Sequence, residues 1–200
     1  MISLRWLAPL SLLTLFNPNP LLGEEFDANC ANNEQAQALV DLIINDPGQQ
    51  RAEIKCNPIL TKAAAEKAKL MQERGLVAHN LGGSPNSFLK ERGYKLPSYY
   101  GHLMANQVEA IAGGFANAEE VWNGFKGSDG HRIHLLGEHD FYRQQNEIGV
   151  AFIYEWYSPH VEYWVVYLTE GADDKPGVDF TGKDNPNKSL FILEKGKRPD

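Results

Sequence analysis

The sequence predicts an α+β domain in which helices pack on a small antiparallel sheet. Three observations predict it. Apolar residues recur at helical spacing through the segments between residues 34 and 136. Two later runs, "EIGVAFIYEWY" and "VEYWVVYLTE", are rich in β-branched and aromatic residues, with the turn "SPH" between them. The chain is 200 residues long, without internal repeats, which suits one domain with a proper core.

The elements follow in order. Residues 1–23 read as a secretory signal peptide: Arg5, the short apolar run "WLAPLSLLTLF", then the Pro-broken exit "NPNPLLGEE". Leu21 and Gly23 stand at the cleavage positions, and the run is too short for a comfortable membrane span. The domain is expected over residues 27–170. In "NNEQAQALVDLIINDP", Ala36, Leu39, Val40 and Ile43 are helically spaced and Asp46-Pro47-Gly48 stops the helix. In "CNPILTKAAAEKAKLMQERGL", Pro58 opens a helix and Gly75 ends it. Ile59, Ala63, Ala64, Ala68 and Met71 form its expected buried stripe.

"SPNSFLKERGY" repeats this grammar, with Ser84 as cap, Pro85 at the first position and Gly93 as the stop. "NAEEVWNGFKG" turns Val121, Trp122 and Phe125 inward, and "HRIHLLG" adds one or two turns. The two β runs then pair as an antiparallel hairpin. Residues 171–200 read as a polar tail, with "SLFIL" docking back on the domain.

The formal net charge of −7 argues against a nucleic-acid partner, which needs a basic face for phosphates. Export makes Cys30 and Cys56, the only cysteines, a disulfide. It would close a loop of about 25 residues, worth ~3 kcal/mol in the chain-entropy view. Two buried thiols are the alternative, and two cysteines alone cannot form a tetrahedral zinc site.

Several stretches, taken in order, resemble the CAP superfamily: cysteine-rich secretory proteins, venom antigens, plant pathogenesis-related proteins and their bacterial SCP-type domains. "CNPILTKAAAEKAKLMQERGLVAHN" resembles that family's "NP-L-A-A" helix and the histidine-bearing loop after it. "SFLKERGY" resembles the following short helix, and "VEAIAGG" the "GENIA-G" stretch. "VWNGFKGSDGHRIHLL" is similar to "W-SPGHR-NIL", and "NEIGVAFIYE" to the "GVG" strand. The resemblance covers about residues 31 to 169 and implies a three-layer α-β-α sandwich. It also implies a cleft with two histidines and two glutamates. His79, Glu109 and His131 match three of these positions, whereas Ser128 falls at the fourth. Gln107 and Val108 replace the usual glycine, and His134 stands where asparagine is common.

Two imidazoles and a carboxylate suit zinc or another divalent cation. With so few protein ligands the site is open and binds weakly. The plainer reading is a hydrogen-bonded polar cleft in which Glu109 orients the histidines. The segment "GSDGHRIHLLGEHD" carries three histidines. His131 and His134 are three apart, with Glu138 on the same face, so a local metal clip is conceivable. Solvated surface is the commoner outcome for His134 and His139. His102 and His160 sit beside turns and carry no assignment. Ser128, His131 and Glu109 are also the residue types of a Ser-His-acid triad. Against a hydrolase, the chain has no G-x-S-x-G elbow and no H-E-x-x-H. The loop "YKLPSYYGHLM" offers aromatics either as groove walls or as a cover for the core.

The expectation is a secreted or periplasmic monomer with no membrane span once the signal is removed. It binds a small apolar ligand or a cell-surface component. The alternative is an extracytoplasmic peptidase or esterase with His79, Glu109, Ser128 and His131 as candidate catalytic groups.

Overall fold

The computed structural model of the protein describes residues 30–101, 105–172 and 193–194. The signal peptide, its cleavage positions, His102 and most of the tail lie outside the described residues.

Helix α1 (Glu34–Ile44) starts where Asn33 accepts a hydrogen bond from the Ala36 amide. The Asn33 side-chain nitrogen Nδ2 also donates to the Phe152 carbonyl at 2.8 Å, which ties the helix start to the sheet. Strand β1 (Lys55–Cys56) leads into α2 (Pro58–Arg74). Asn57 caps α2 and Gly75 closes it in a left-handed conformation, φ 61°. Helix α3 (Pro85–Glu91) is capped by Ser84, as its sequence predicts. Then come β2 (Glu109–Gly113), α4 (Ala118–Gly127), α5 (Asp129–Leu136), α6 (Asp140–Arg143), β3 (Glu147–Tyr154), β4 (Glu162–Thr169) and β5 (Leu193–Glu194).

The sheet runs β1-β3-β4-β2-β5. Its three long strands are antiparallel, with Val150 opposite Val166 and Ile111 opposite Val165. The two-residue strands β1 and β5 pair in parallel at the edges. Neither is anticipated by the sequence, because two residues are too few to show an alternation. Of the run "SLFIL" only Leu193 is among the described residues, and it pairs with Ala112 of β2.

Strand alternation sorts the core into two layers. Ala110, Ala112, Ile148, Val150, Trp164, Val166 and Leu168 face α1, α4 and α5. Ile111, Ala151, Tyr163, Val165 and Tyr167 face α2 and α3. The result is helix layer, sheet, helix layer. Strand β2 escapes notice in the sequence because "EAIAG" carries one β-branched residue among small ones, yet all five residues are buried.

The α2 stripe differs in one place from expectation. Ile59 is 37% exposed, and Leu60 takes its position beside Ala63, Ala64, Lys67, Ala68 and Met71. The alanines let α2 settle closely on β3. At Gly149 an added Cβ would fall within the backbone of Leu60 and Thr61. Cys30 and Cys56 are bonded, with Cα atoms 4.5 Å apart. Both flank β3: the Val150 amide donates to the Cys30 carbonyl at 2.7 Å, and Cys56 pairs with Ile148.

Gly149→Ala is expected to destabilise the fold by about 3 kcal/mol or more, since backbone rather than a mobile side chain must give way. Urea unfolding checks this, and a loss below about 0.5 kcal/mol, the scale of a surface substitution, would contradict the close packing.

Candidate functional site

The site lies where β2 begins and β4 ends. Glu109 and Tyr167 are directly opposed across the two strands, and strand alternation points both toward α2. The Glu109 side chain is wholly buried. Its Oε2 accepts from the Tyr167 hydroxyl at 2.6 Å, and its Oε1 from His79 Nδ1 at 2.7 Å. Lys67 Nζ lies 3.7 Å from Oε2. The buried carboxylate is thus surrounded by one cation and two neutral donors, the arrangement that makes such a charge tolerable.

His79 sits in the loop after α2, its side chain 16% exposed. With Nδ1–H donated to Glu109, Nε2 is left as a lone-pair nitrogen, and it is buried with no protein partner among the described residues. Asn106 frames the same ring. Its carbonyl oxygen accepts from the Glu109 amide at 3.0 Å and its nitrogen donates to the Glu109 carbonyl, also at 3.0 Å. That nitrogen is also 3.1 Å from His79 Nδ1. One nitrogen cannot both donate to Glu109 and accept from Asn106, and the shorter contact to the carboxylate takes the proton.

His131 is fully buried on α5, its ring 5.0 Å from that of Phe125. Ser128 precedes α5 but makes no side-chain cap. Its hydroxyl instead meets His131 Nδ1 at 2.9 Å. His131 Nε2, like His79 Nε2, is buried without a protein partner among the described residues. Burial pushes the His131 pKa down to about 3, helped by the neighbouring His79 and His134 imidazoles.

His134 is not solvated surface. It is entirely buried, Nε2 donates to the Leu168 carbonyl at 2.9 Å, and its ring packs on Tyr142 at 4.8 Å. Burial likewise pushes its pKa down to about 3. The apolar residues around it, Ile133, Leu135 and Leu136, show why: α5 is covered on most sides. His139 is half-buried and caps α6 by accepting from the Phe141 amide at 3.1 Å. Glu138 pairs with Arg132, so the local clip of His131, His134 and Glu138 does not form. His160 stacks edge-on against Tyr163, away from the site.

The Ser-His-acid triad is not assembled either. Ser128 and His131 do meet, but both Glu109 oxygens are taken by His79 and Tyr167. Glu109 thus orients His79 from behind, and the Nε2 atoms of His79 and His131 are left without a protein partner among the described residues. Among the described residues no group of three or more His, Cys, Asp or Glu side chains is arranged to hold a metal ion. In the loop after α3, Tyr94, Leu96 and Tyr100 are buried and cover the core. Among the described residues the large exposed aromatics are Tyr154, Trp156 and Tyr157 at the β3–β4 turn.

Sequence reasoning passes over three contributors. Lys67 falls on the alanine stripe of α2, three and four residues after Ala64 and Ala63, a spacing that marks it as inward-facing. Tyr167 follows from alternation in β4. Arg51 carries no signal; its guanidinium donates to the carbonyls of His134, Leu135 and Tyr142 at 2.6 to 2.9 Å and so fixes the end of α5.

The depressed His131 and His134 predict acid sensitivity. Their unfolded value is about 6.5, so between about 3 and 6.5 the unfolded chain binds more protons than the folded one. Stability is complete above about 6.5 and is lost as pH falls, by about 2 kcal/mol per histidine from pH 7 to pH 5. His134→Gln keeps a donor for Leu168 and removes one of the two titrations. Urea unfolding at both pH values should show about 2 kcal/mol less acid loss in the variant. An unchanged acid loss would contradict the assignment.

No protein-family model and no curated protein matches the chain. Among solved structures, an outer surface protein from Borrelia burgdorferi is similar, with a TM-score of 0.51 and 17% identity. The match covers 70% of this chain and 97% of that one. At that identity the likeness bears on the fold alone, and it spans nearly the whole of the other chain.

Proposed function

We propose that the protein is an extracytoplasmic binding protein of the CAP type. In this reading it takes a small apolar ligand or a cell-surface component at the His79–Glu109–His131 cleft. One observation carries the reading: His79 and His131 each present a buried Nε2 with no protein partner among the described residues, backed on the Nδ1 side by Glu109 and by Ser128. With Nδ1–H given to Glu109, His79 Nε2 accepts a hydrogen bond from a ligand or binds a divalent cation such as zinc, and His131 Nε2 does the same in the tautomer that donates Nδ1–H to Ser128 Oγ. A carboxylate behind an imidazole is the usual support for a metal-binding histidine. Two imidazoles leave most of a coordination sphere to solvent and ligand, so binding is weak. A cation bound there supplies Lewis acidity toward a ligand oxygen.

The export reading is supported by the Cys30–Cys56 bond, which suits an oxidising compartment. The structural neighbour, an outer surface protein, supports it too. No helix among the described residues is long and apolar enough to cross a membrane. Binding is favoured over cutting because His131 has no orienting acid and Glu109 has no free oxygen to activate water.

Zinc calorimetry on the full chain tests the reading. His79→Ala and His131→Ala are each expected to weaken binding at least about tenfold, with His139→Ala unchanged. Because His131 resists protonation, it stays available as a ligand at pH 5. Zinc binding that survives both substitutions would sink the proposed site. Zinc-dependent cleavage of peptide or ester substrates, lost in the same variants, would replace binding with the hydrolase.

A further inference from the structure

The cation at the centre of the site is not accounted for by the binding reading. Lys67 is wholly buried in α2. Its ammonium donates to the His79 carbonyl at 2.7 Å and to the Leu81 carbonyl at 2.8 Å. The remaining proton has the Glu109 carboxylate at 3.7 Å and the Phe88 ring, whose centroid is 5.3 Å away. Lys67 thus gives two hydrogen bonds to the loop that carries His79 and an ion pair to the carboxylate that holds its ring. Burial lowers its pKa and the Glu109 charge works against that shift.

His79 has two neutral forms open to it here. With the proton on Nδ1 it donates to Glu109 and leaves Nε2 bare. With the proton on Nε2 it accepts at Nδ1 from Asn106, 3.1 Å away, and turns a lone pair against the carboxylate. Only the first form presents a lone pair to a ligand at Nε2. What selects it is a carboxylate oxygen held 2.7 Å from Nδ1 and a loop held at the right height. Tyr167 grips one carboxylate oxygen, but as a neutral donor on the strand it does nothing for the loop. Lys67 reaches both the carboxylate and the loop carbonyls.

We propose that Lys67 is a positioning residue that locks His79 in the Nδ1–H form, with Nε2 free for a ligand, by fixing the His79–Leu81 loop and the Glu109 carboxylate together. The lock operates in the metal-free protein, and it rests on the binding reading only for the use made of the bare Nε2. Charge at Lys67, more than the Tyr167 hydroxyl, then determines the imidazole form.

Nitrogen-15 NMR of the histidine rings in the full chain without metal reads this directly. Wild type is expected to show a protonated Nδ1 and an unprotonated Nε2 at His79. Tyr167→Phe is expected to keep that pattern. Lys67→Met, folded by circular dichroism, is expected to show substantial protonation at Nε2, and its zinc affinity to fall at least about tenfold. A folded Lys67→Met with the wild-type ring pattern would overturn the proposal. So would a Tyr167→Phe that releases the ring as fully. Should Lys67→Met fail to fold, the wild-type ammonium is read instead: slow solvent exchange of its protons and cross-relaxation to the His79 loop support the lock, and surface-like exchange overturns it. A ring pattern that responds as described in a protein that binds no zinc removes the binding reading and leaves the lock standing.

Discussion

Glu109 is a carboxylate with no solvent around it, at the first residue of a central strand. A charge in that position costs several kcal/mol unless it is paired and hydrogen-bonded. The surrounding structure supplies those partners from three separate elements: Lys67 from α2, Tyr167 from β4 and His79 from the loop after α2. Because each partner comes from a different element, the charge couples the position of helix, sheet and loop. Removing Lys67 leaves a buried carboxylate without its counter-charge, which is more damaging than the loss of a surface pair.

That convergence depends on how near α2 lies to the sheet. Lysine reaches Glu109 from a helix whose contact face is made of alanines and whose seat is Gly149. A larger residue at any of these points would lift the helix and draw the ammonium away from its carbonyls. Small side chains in α2 thus serve the site as much as the core. At α5, Arg51 holds the carbonyl end of the helix and Ser128 turns its hydroxyl to His131 instead of capping it. The result is two imidazoles held at Nδ1, by Glu109 and by Ser128, each with an Nε2 that has no protein partner among the described residues.

Much of this architecture is legible in the sequence. Caps and stops at Asn57-Pro58, Ser84-Pro85 and Gly75 mark helices because they report local backbone needs. The paired β runs are legible because a concentration of β-branched and aromatic residues is itself the strand signal. Strand β2 is not, since its buried residues include two alanines and a glycine, and these carry no period. Motif order singles out His79, Glu109 and His131 as candidates. What each of them touches cannot be read from it, because hydrogen-bond partners come from distant elements. Glu109 is open to being a ligand, a triad acid or an orienting group until Tyr167 and Lys67 are placed beside it. His134 reads as surface for a similar reason: the segment that carries it is rich in polar residues, but its neighbours in space are Tyr142 and the end of β4.

The central claim is that the site offers two bare imidazole nitrogens, with Glu109 behind His79 as support. The most direct measurement is anomalous diffraction at the zinc edge from a zinc-soaked crystal of the full chain. The account predicts a zinc peak in contact with His79 Nε2 and His131 Nε2, with Glu109 still bound to His79 Nδ1 and Tyr167. A peak on His139 and Glu138, or zinc ligated by Glu109 itself, would contradict it.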